Sequence, residues 1–336
     1  MSYITENKRV KFGSFEEKMK PILTKLEDPD VFNVYLNADG NVWYDGNRGK
    51  DIFMTMHPQD ALIMLNILAT LCDTSIIEER PYLEVEIPVY GHRLSATIPP
   101  ISRAPTFSIR KNTSKLIPFT EMVENGSMPE PFLNIIDDCI KQRLNILVVG
   151  GPGAGKTTIG NALLDRMAVL DPDTRIHVIE KARELIIHNK DYESWALPSS
   201  LMSGEAHSAT MEKLQELALR RDPGRMILGE CRGKEAAGLL LAWNNGQPGG
   251  FTTIHASSAL LGLTKLEQYI GLGDMVVNPE LIANTVNILI SVQKITLRDS
   301  RGNYVGRRIE EILEVGKYIP ESKRYHTTPL DQFKHN

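Results

Sequence analysis

Cysteine is scarce: the 336 residues hold only Cys72, Cys139 and Cys231, odd in number, far apart and without CxxC spacing. That excludes a disulfide framework and a structural zinc site, and it suits a reducing compartment. No run of 18 uncharged apolar residues occurs, so no membrane-spanning helix is expected. The first stretch, MSYITENKRVKFGSFEEK, carries charge where a secretory signal has its apolar centre. The chain is therefore expected in the cytoplasm. A positive surplus is also missing, since the formal net charge is −4, and direct nucleic-acid binding is not expected. Aromatic residues make up only 7%; Trp43, Trp243 and the residues around Tyr35 lack basic interleaving, and read as core or interface rather than stacking platforms. The guanine-reading NKxD of GTPases is absent too.

What is present falls into two patterns. From Val31 to about Lys111 the segments are short and hairpin-like: VFNVYLN and NVWYD flank Ala38-Asp39-Gly40, and EVEIPVY and RLSATIP flank Gly91-His92. Between them PQDALIMLNILATLCD has helical spacing, with Pro58 suited to a first turn. Residues 1–111 are thus expected to form an α+β domain, and the Pro- and Gly-broken residues 112–130 a linker. From Pro131 to residue 336, helices alternate with the apolar strands NILVVG, RIHVIE, RMILGE and FTTIHA. Such alternation predicts an α/β domain with a mostly parallel sheet. The arm around Lys8, Arg9, Lys11, Lys18 and Lys20 is mildly basic and diluted by Glu16 and Glu17. It reads as solvated, with peripheral membrane contact as the second reading.

The chemistry is concentrated in NILVVGGPGAGKTTIGNALL, which starts at Asn145. Gly150, Gly151, Pro152, Gly153, Ala154, Gly155, Lys156 and Thr157 complete GxxxxGK[ST], and Thr158 follows, between a strand and a helix where the phosphate loop belongs. Glycines let backbone amides wrap phosphates, Lys156 can reach the β- and γ-phosphates, and the Thr157 hydroxyl can ligate Mg²⁺. The segment predicts binding of a nucleoside triphosphate with Mg²⁺. Glu230 ends the apolar strand RMILGE, where a carboxylate on the Mg²⁺ side belongs, and Cys231, Arg232 and Gly233 follow it. His255 follows the strand FTTI among small residues.

Taken in this order, the loop, the GExRG segment and the FTTIHAS segment resemble the secretion ATPases of type IV secretion, type II secretion and type IV pilus systems. Within that family the chain resembles the TrbB-like conjugal transfer ATPases, from about Asp28 to about Ile312. The resemblance implies a RecA-like P-loop domain preceded by a smaller PAS-like one. It also implies a homo-hexameric motor peripheral to the inner membrane, working with the membrane components of a conjugation apparatus. The family's Asp box maps onto VIEKARELI, with Glu180 and Glu184 as candidates to orient the attacking water and Glu184 preferred. The usual Glu-Asp is here Glu180-Lys181, and Lys181 can hold Glu180 as a structural anion. Its Walker B falls on Glu230 and Arg232, and its His box on His255. Its nucleotide-reaching arginines carry over to Arg110 and Arg93. Asp222-Pro223-Gly224-Arg225 and Gln247-Pro248-Gly249 depart from the conjugal pattern. Other readings are a pilus retraction or assembly motor, a nucleic-acid translocase on the same core, and a non-hydrolysing scaffold. A cysteine-rich zinc module, carried by many type II secretion motors, is missing.

Overall fold

The computed structural model describes residues 6–112, 116–197, 210–273, 276–300 and 302–330. These residues divide into two units. The first runs to residue 112 and includes Leu297–Val305; the second holds the rest.

In the first unit, α1 (Glu6–Glu27) precedes β1 (Val31–Leu36), β2 (Asn41–Gly46), β3 (Gly49–Thr55), α2 (Pro58–Leu71), β4 (Tyr82–Glu86), β5 (Arg93–Thr97) and β6 (Thr106–Arg110). The strands pair antiparallel in the order β3-β2-β1-β6-β5-β4. Both hairpins expected from the turn residues are present. Alternation decides which face is covered: Leu83, Val85, Leu94, Ala96, Phe107 and Ile109 join Met64, Leu65 and Leu68 of α2 in one core. Pro58 opens α2, where its missing N–H costs nothing, and His57 Nδ1 accepts from the Gln59 amide as its cap.

One expectation is overturned here. The basic N-terminal segment is not a solvated arm but helix α1, whose Phe15, Met19, Ile22 and Leu26 are buried in that core. Their spacing of four, three and four is a helical stripe, hidden in the sequence by the charges between them and by Gly13 and Pro21. Lys11, Lys18 and Lys20 occupy its exposed positions. The side chains of Lys8 and Arg9 lie outside the described residues.

The second unit opens with α3 (Phe119–Glu124) and α4 (Pro131–Lys141), followed by β7 (Ile146–Val149), α5 (Lys156–Leu170), β8 (Ile176–Glu180) and β9 (Tyr192–Ala196). Then come α6 (Met211–Leu219), β10 (Arg225–Cys231), α7 (Glu235–Asn244), β11 (Phe251–Ile254), α8 (Ala259–Ile270), α9 (Pro279–Thr285), β12 (Ile288–Asp299), β13 (Gly302–Ile319) and β14 (Arg324–Pro329), with the end of β12 and the start of β13, from Leu297 to Val305, counted in the first unit. The sheet order is β14-β13-β12-β7-β11-β10-β8-β9, parallel from β12 through β9 and closed at one edge by the antiparallel β13–β14 pair. Helices cover both faces. Ile146 and Val148 of β7 face a core shared with α4 and α5, whereas Leu147 and Val149 face α7, α8 and α9. This double burial is why the strand reads as four consecutive apolar residues.

The described part of the expected linker is largely structured. Phe119, Met122 and Met128 are buried in the core of the second unit, and α3 lies inside the segment. The many Pro and Gly residues mark its turns rather than a free connection; residues 113–115 lie outside the described residues.

At the N-terminal ends of the parallel strands, Arg225 is fully buried. It donates from Nε and Nη2 to Asp171 Oδ2 (3.0 and 2.6 Å), from Nη1 to the Gly249 carbonyl (2.6 Å) and from Nη2 to the Ile140 carbonyl (2.8 Å). Gly249 admits it: a Cβ there would meet Arg225 Nη1 at 2.4 Å. The segments 222–225 and 247–249 thus meet in one buried structural clamp through Arg225 and Gly249, the positions at which they keep the conjugal pattern.

Candidate functional site

Ligands of open α/β sheets sit beyond the carboxyl ends of the strands. Four adjacent strands, β7, β11, β10 and β8, deliver Lys156, His255, Glu230 and Glu180 to that edge.

The loop after β7 turns through two left-handed glycines, Gly153 (φ 66°) and Gly155 (φ 102°), and the second is the N-cap of α5. A side chain at either position would be strained. Gly150 is needed for a different reason, since a Cβ on it would sit 2.5 Å from the Val292 carbonyl oxygen. Lys156, the first residue of α5, is buried; its Nζ donates to the carbonyls of Gly150 (3.0 Å) and Gly151 (3.2 Å) and lies 3.1 Å from His255 Nδ1. An ammonium can only donate, so Nδ1 accepts and the imidazole proton sits on Nε2. Nε2 in turn lies 2.8 Å from Glu230 Oε1.

Glu230 Oε2 is 2.5 Å from Arg232 Nη2. Burial pushes the Glu230 carboxyl up, but the Arg232 hydrogen bond, the charges of Arg232 and Lys156 and the polar His255 ring outweigh it and hold the group below the ordinary carboxylate range. Arg232 is raised in return, chiefly by its hydrogen bond to Glu230. Buried Glu235 fixes this turn by accepting from the Arg232 amide at 2.8 Å.

The two Asp-box glutamates occupy different surroundings. Glu180 is buried, and its Oε1 accepts from the backbone amides of Glu184 (2.9 Å) and Leu185 (3.0 Å). Half-buried Glu184 instead places Oε2 3.1 Å from the donating Thr157 hydroxyl, beside the loop. Thr157, Glu184 and Glu230 thus supply hard oxygen donors at the loop's helix end, the donor chemistry Mg²⁺ takes. Among the described residues no group of three or more His, Cys, Asp or Glu side chains could hold a metal on its own. A cation that shares its shell with phosphates and waters fits this arrangement.

Arg93 and Arg110 belong to the first unit. They are register partners on β5 and β6, and Arg110 is exposed.

Sequence reasoning missed two cations near the loop. Arg307 of β13 donates from Nε to the Gly153 carbonyl at 3.2 Å, and Lys294 Nζ of β12 lies 3.2 Å from where a Gly153 Cβ would be. More than 130 residues separate them from the loop, and no motif marks either.

Comparison with known proteins agrees with the resemblance. The profile of the family described as type II/IV secretion system protein matches residues 78–315. The conjugal transfer protein TrbB of Rhizobium radiobacter is 31% identical over 310 residues, which cover 92% of this chain and 90% of that one. The type IV secretion system protein VirB11 of Bartonella henselae is 27% identical, with 74% and 79% covered. The X-ray structure of the Legionella pneumophila ATPase DotB superposes with a TM-score of 0.61 at 17% identity, covering 91% of this chain and 82% of that one.

Proposed function

This chain belongs to the type II/IV secretion system protein family, and from that premise we propose that it hydrolyses ATP to drive conjugative transfer or type IV secretion as a cytoplasmic motor. The second unit is then a RecA-like P-loop domain and the antiparallel first unit a PAS-like one. The observation that carries the reading is the convergence of Lys156, His255, Glu230, Thr157 and Glu184 at the carboxyl edge of one parallel sheet. No helix among the described residues is long and apolar enough to cross a membrane. A station peripheral to the inner membrane, with that apparatus's membrane components as partners, follows from the family.

Hydrolysis asks for an oriented water and for positive charge around the γ-phosphate. Lys156 releases the Gly150 and Gly151 carbonyls and follows the phosphates, while the loop amides hold them. Thr157 and Glu230 would hold Mg²⁺, which neutralises charge across the β- and γ-phosphates when bound. Glu184, beside Thr157, orients the water and accepts its proton. Glu180, committed to two amides, shapes the turn that presents Glu184. His255, between Lys156 and Glu230, senses the γ-phosphate, and Arg232 keeps Glu230 ionised. Arg110, with Arg93, reaches the nucleotide from another domain or subunit, and the family implies a homo-hexamer as the working form.

The test is ATP turnover and ATP affinity of the wild-type full chain beside Lys156→Ala, with assembly state read at the same concentrations. Turnover by an assembled ring, abolished in the variant, supports the reading. An assembled ring that binds ATP without turning it over rejects hydrolysis in favour of a scaffold.

A further inference from the structure

Lys294 and Arg307 lie on neighbouring strands of one sheet, with Lys294 on β12 and Arg307 on β13. Both strands are long, and their stems run beside the nucleotide loop, because β12 pairs directly with β7, the strand that feeds the loop. Its neighbour Val292 closes on Gly150, so the β12 backbone is in van der Waals contact with the loop's first residue. Two residues further on, Lys294 presents its ammonium to the side-chain-free face of Gly153, its Nζ and Cε 3.2 and 3.3 Å from the position of a Cβ. Arg307 covers the next glycine. Its Cβ, Cγ and Cδ lie 3.6–3.8 Å from where a Gly155 Cβ would be, and its Nε–H reaches the Gly153 carbonyl.

The peptide geometry gives this contact a consequence. Backbone amides that wrap a phosphate point inward, so carbonyls of the same turn are left for an outside donor. Arg307 supplies that donor through a planar group held by its own aliphatic stem. Burial pulls its pKa down, so charge is placed there at a desolvation cost, which a polyanion on the loop would offset. Lys294 is exposed, as suits a cation that waits for a mobile anionic ligand.

We propose that Arg307 and Lys294 form a second cationic wall of the nucleotide site, Arg307 positioning the loop through the Gly153 carbonyl and Lys294 meeting the polyphosphate of the bound nucleotide from the same chain. The inference rests on the loop being a nucleoside-triphosphate site and adds residues that the family motifs do not include. It separates two sources of positive charge: the first-unit arginines act when units or subunits close, whereas this wall acts as soon as nucleotide binds. Its signature is therefore in affinity rather than in turnover at saturation.

The experiment is calorimetric titration of the full-length protein with ADP and with a non-hydrolysable ATP analogue, at about 50 and about 200 mM salt, beside steady-state kinetics. Wild type is compared with Lys294→Gln, Arg307→Met and Arg307→Lys, each checked for an unchanged melting temperature. The expected result for Lys294→Gln is a loss of roughly 3- to 10-fold in affinity that shrinks at the higher salt, with KM raised and kcat retained. Arg307→Met loses about 10-fold or more for both ligands, and Arg307→Lys recovers part of it. Wild-type affinity in a folded Lys294→Gln and Arg307→Met overturns the inference while leaving the nucleotide reading intact. Failure of wild type itself to bind either ligand overturns both. If Arg307→Met does not fold, the exposed Lys294→Gln decides alone.

Discussion

The Thr157 hydroxyl donates to Glu184 Oε2 across 3.1 Å, joining the first turn of α5 to the segment that follows β8. The loop threonine and one Asp-box carboxylate are therefore already within reach of a common ligand. On the proposed reading, a water held by Glu184 would stand near a phosphate gripped by the loop.

Glu184→Gln keeps the size of the side chain and removes the proton acceptor. Turnover should fall about 10²- to 10⁴-fold with ATP affinity almost unchanged. Single-turnover kinetics and equilibrium binding on the same sample check this, and retained turnover rejects Glu184 as the water-orienting residue.

Glu180→Gln leaves an oxygen that can still accept from the Glu184 and Leu185 amides, so it should be much milder than Glu180→Ala. The alanine variant strands two amides and should lower both melting temperature and turnover; two stranded donors cost about 1–3 kcal/mol each. Reversal of this order, with glutamine as damaging as Glu184→Gln, would move the water-orienting role to Glu180.

Arg110→Ala should preserve nucleotide binding and assembly while turnover drops on the order of 10³-fold. Mixing the variant with Lys156→Ala chains tests whether the arginine acts across subunits. Recovered turnover in the mixture means that it does, since each chain supplies what the other lacks.

Arg225→Met removes the buried cation that joins Asp171 and two carbonyls, and it leaves the Asp171 carboxylate without its partner. A loss of about 3–5 kcal/mol is expected, read as a fall in urea midpoint at constant slope. A change below about 1 kcal/mol would mean that the clamp is replaceable by packing.

His177 is fully buried on β8 against Trp195, with ring centroids 4.3 Å apart, and burial pulls its pKa down to about 4. Glu193 opposes that shift, while Arg175 and Arg221 add to it. The unfolded chain takes up this proton near pH 6.5 and the folded chain only near 4, so stability is complete above 6.5 and drains as pH falls between them. The full effect is on the order of 3 kcal/mol. The difference in unfolding free energy between wild type and His177→Phe, measured at pH 7.5 and 5, should shift in favour of the variant at the lower pH.

Legibility differed by element for physical reasons. The loop was visible because phosphate binding demands glycines and a lysine at fixed spacing within eight residues, and Glu230 and His255 were visible as polar residues breaking apolar strands. The parallel core strands were legible because burial on both faces writes an uninterrupted apolar run. Helix α1 was not, because its one-sided stripe is interleaved with lysines and glutamates whose local average is polar. Arg307, Lys294 and the contacts of Arg225 were invisible for another reason: each depends on a partner tens to more than a hundred residues away, and long-range pairing leaves no local period. Glu180 was legible as a structural anion, but the backbone amides four and five residues on that hold its Oε1 were not.

The strand Arg225–Cys231 begins with the clamp at Asp171 and carries Glu230 near its other end, five residues later. Damage at its two ends would reach a cell by different routes. Substitutions at the first end should lower how much protein accumulates, because a chain short of several kcal/mol is cleared by proteolysis. Those at the second should leave normal amounts of folded but idle chains, which in the proposed ring would join wild-type subunits and stall them. One strand can therefore give recessive alleles from its start and dominant-negative alleles from its end.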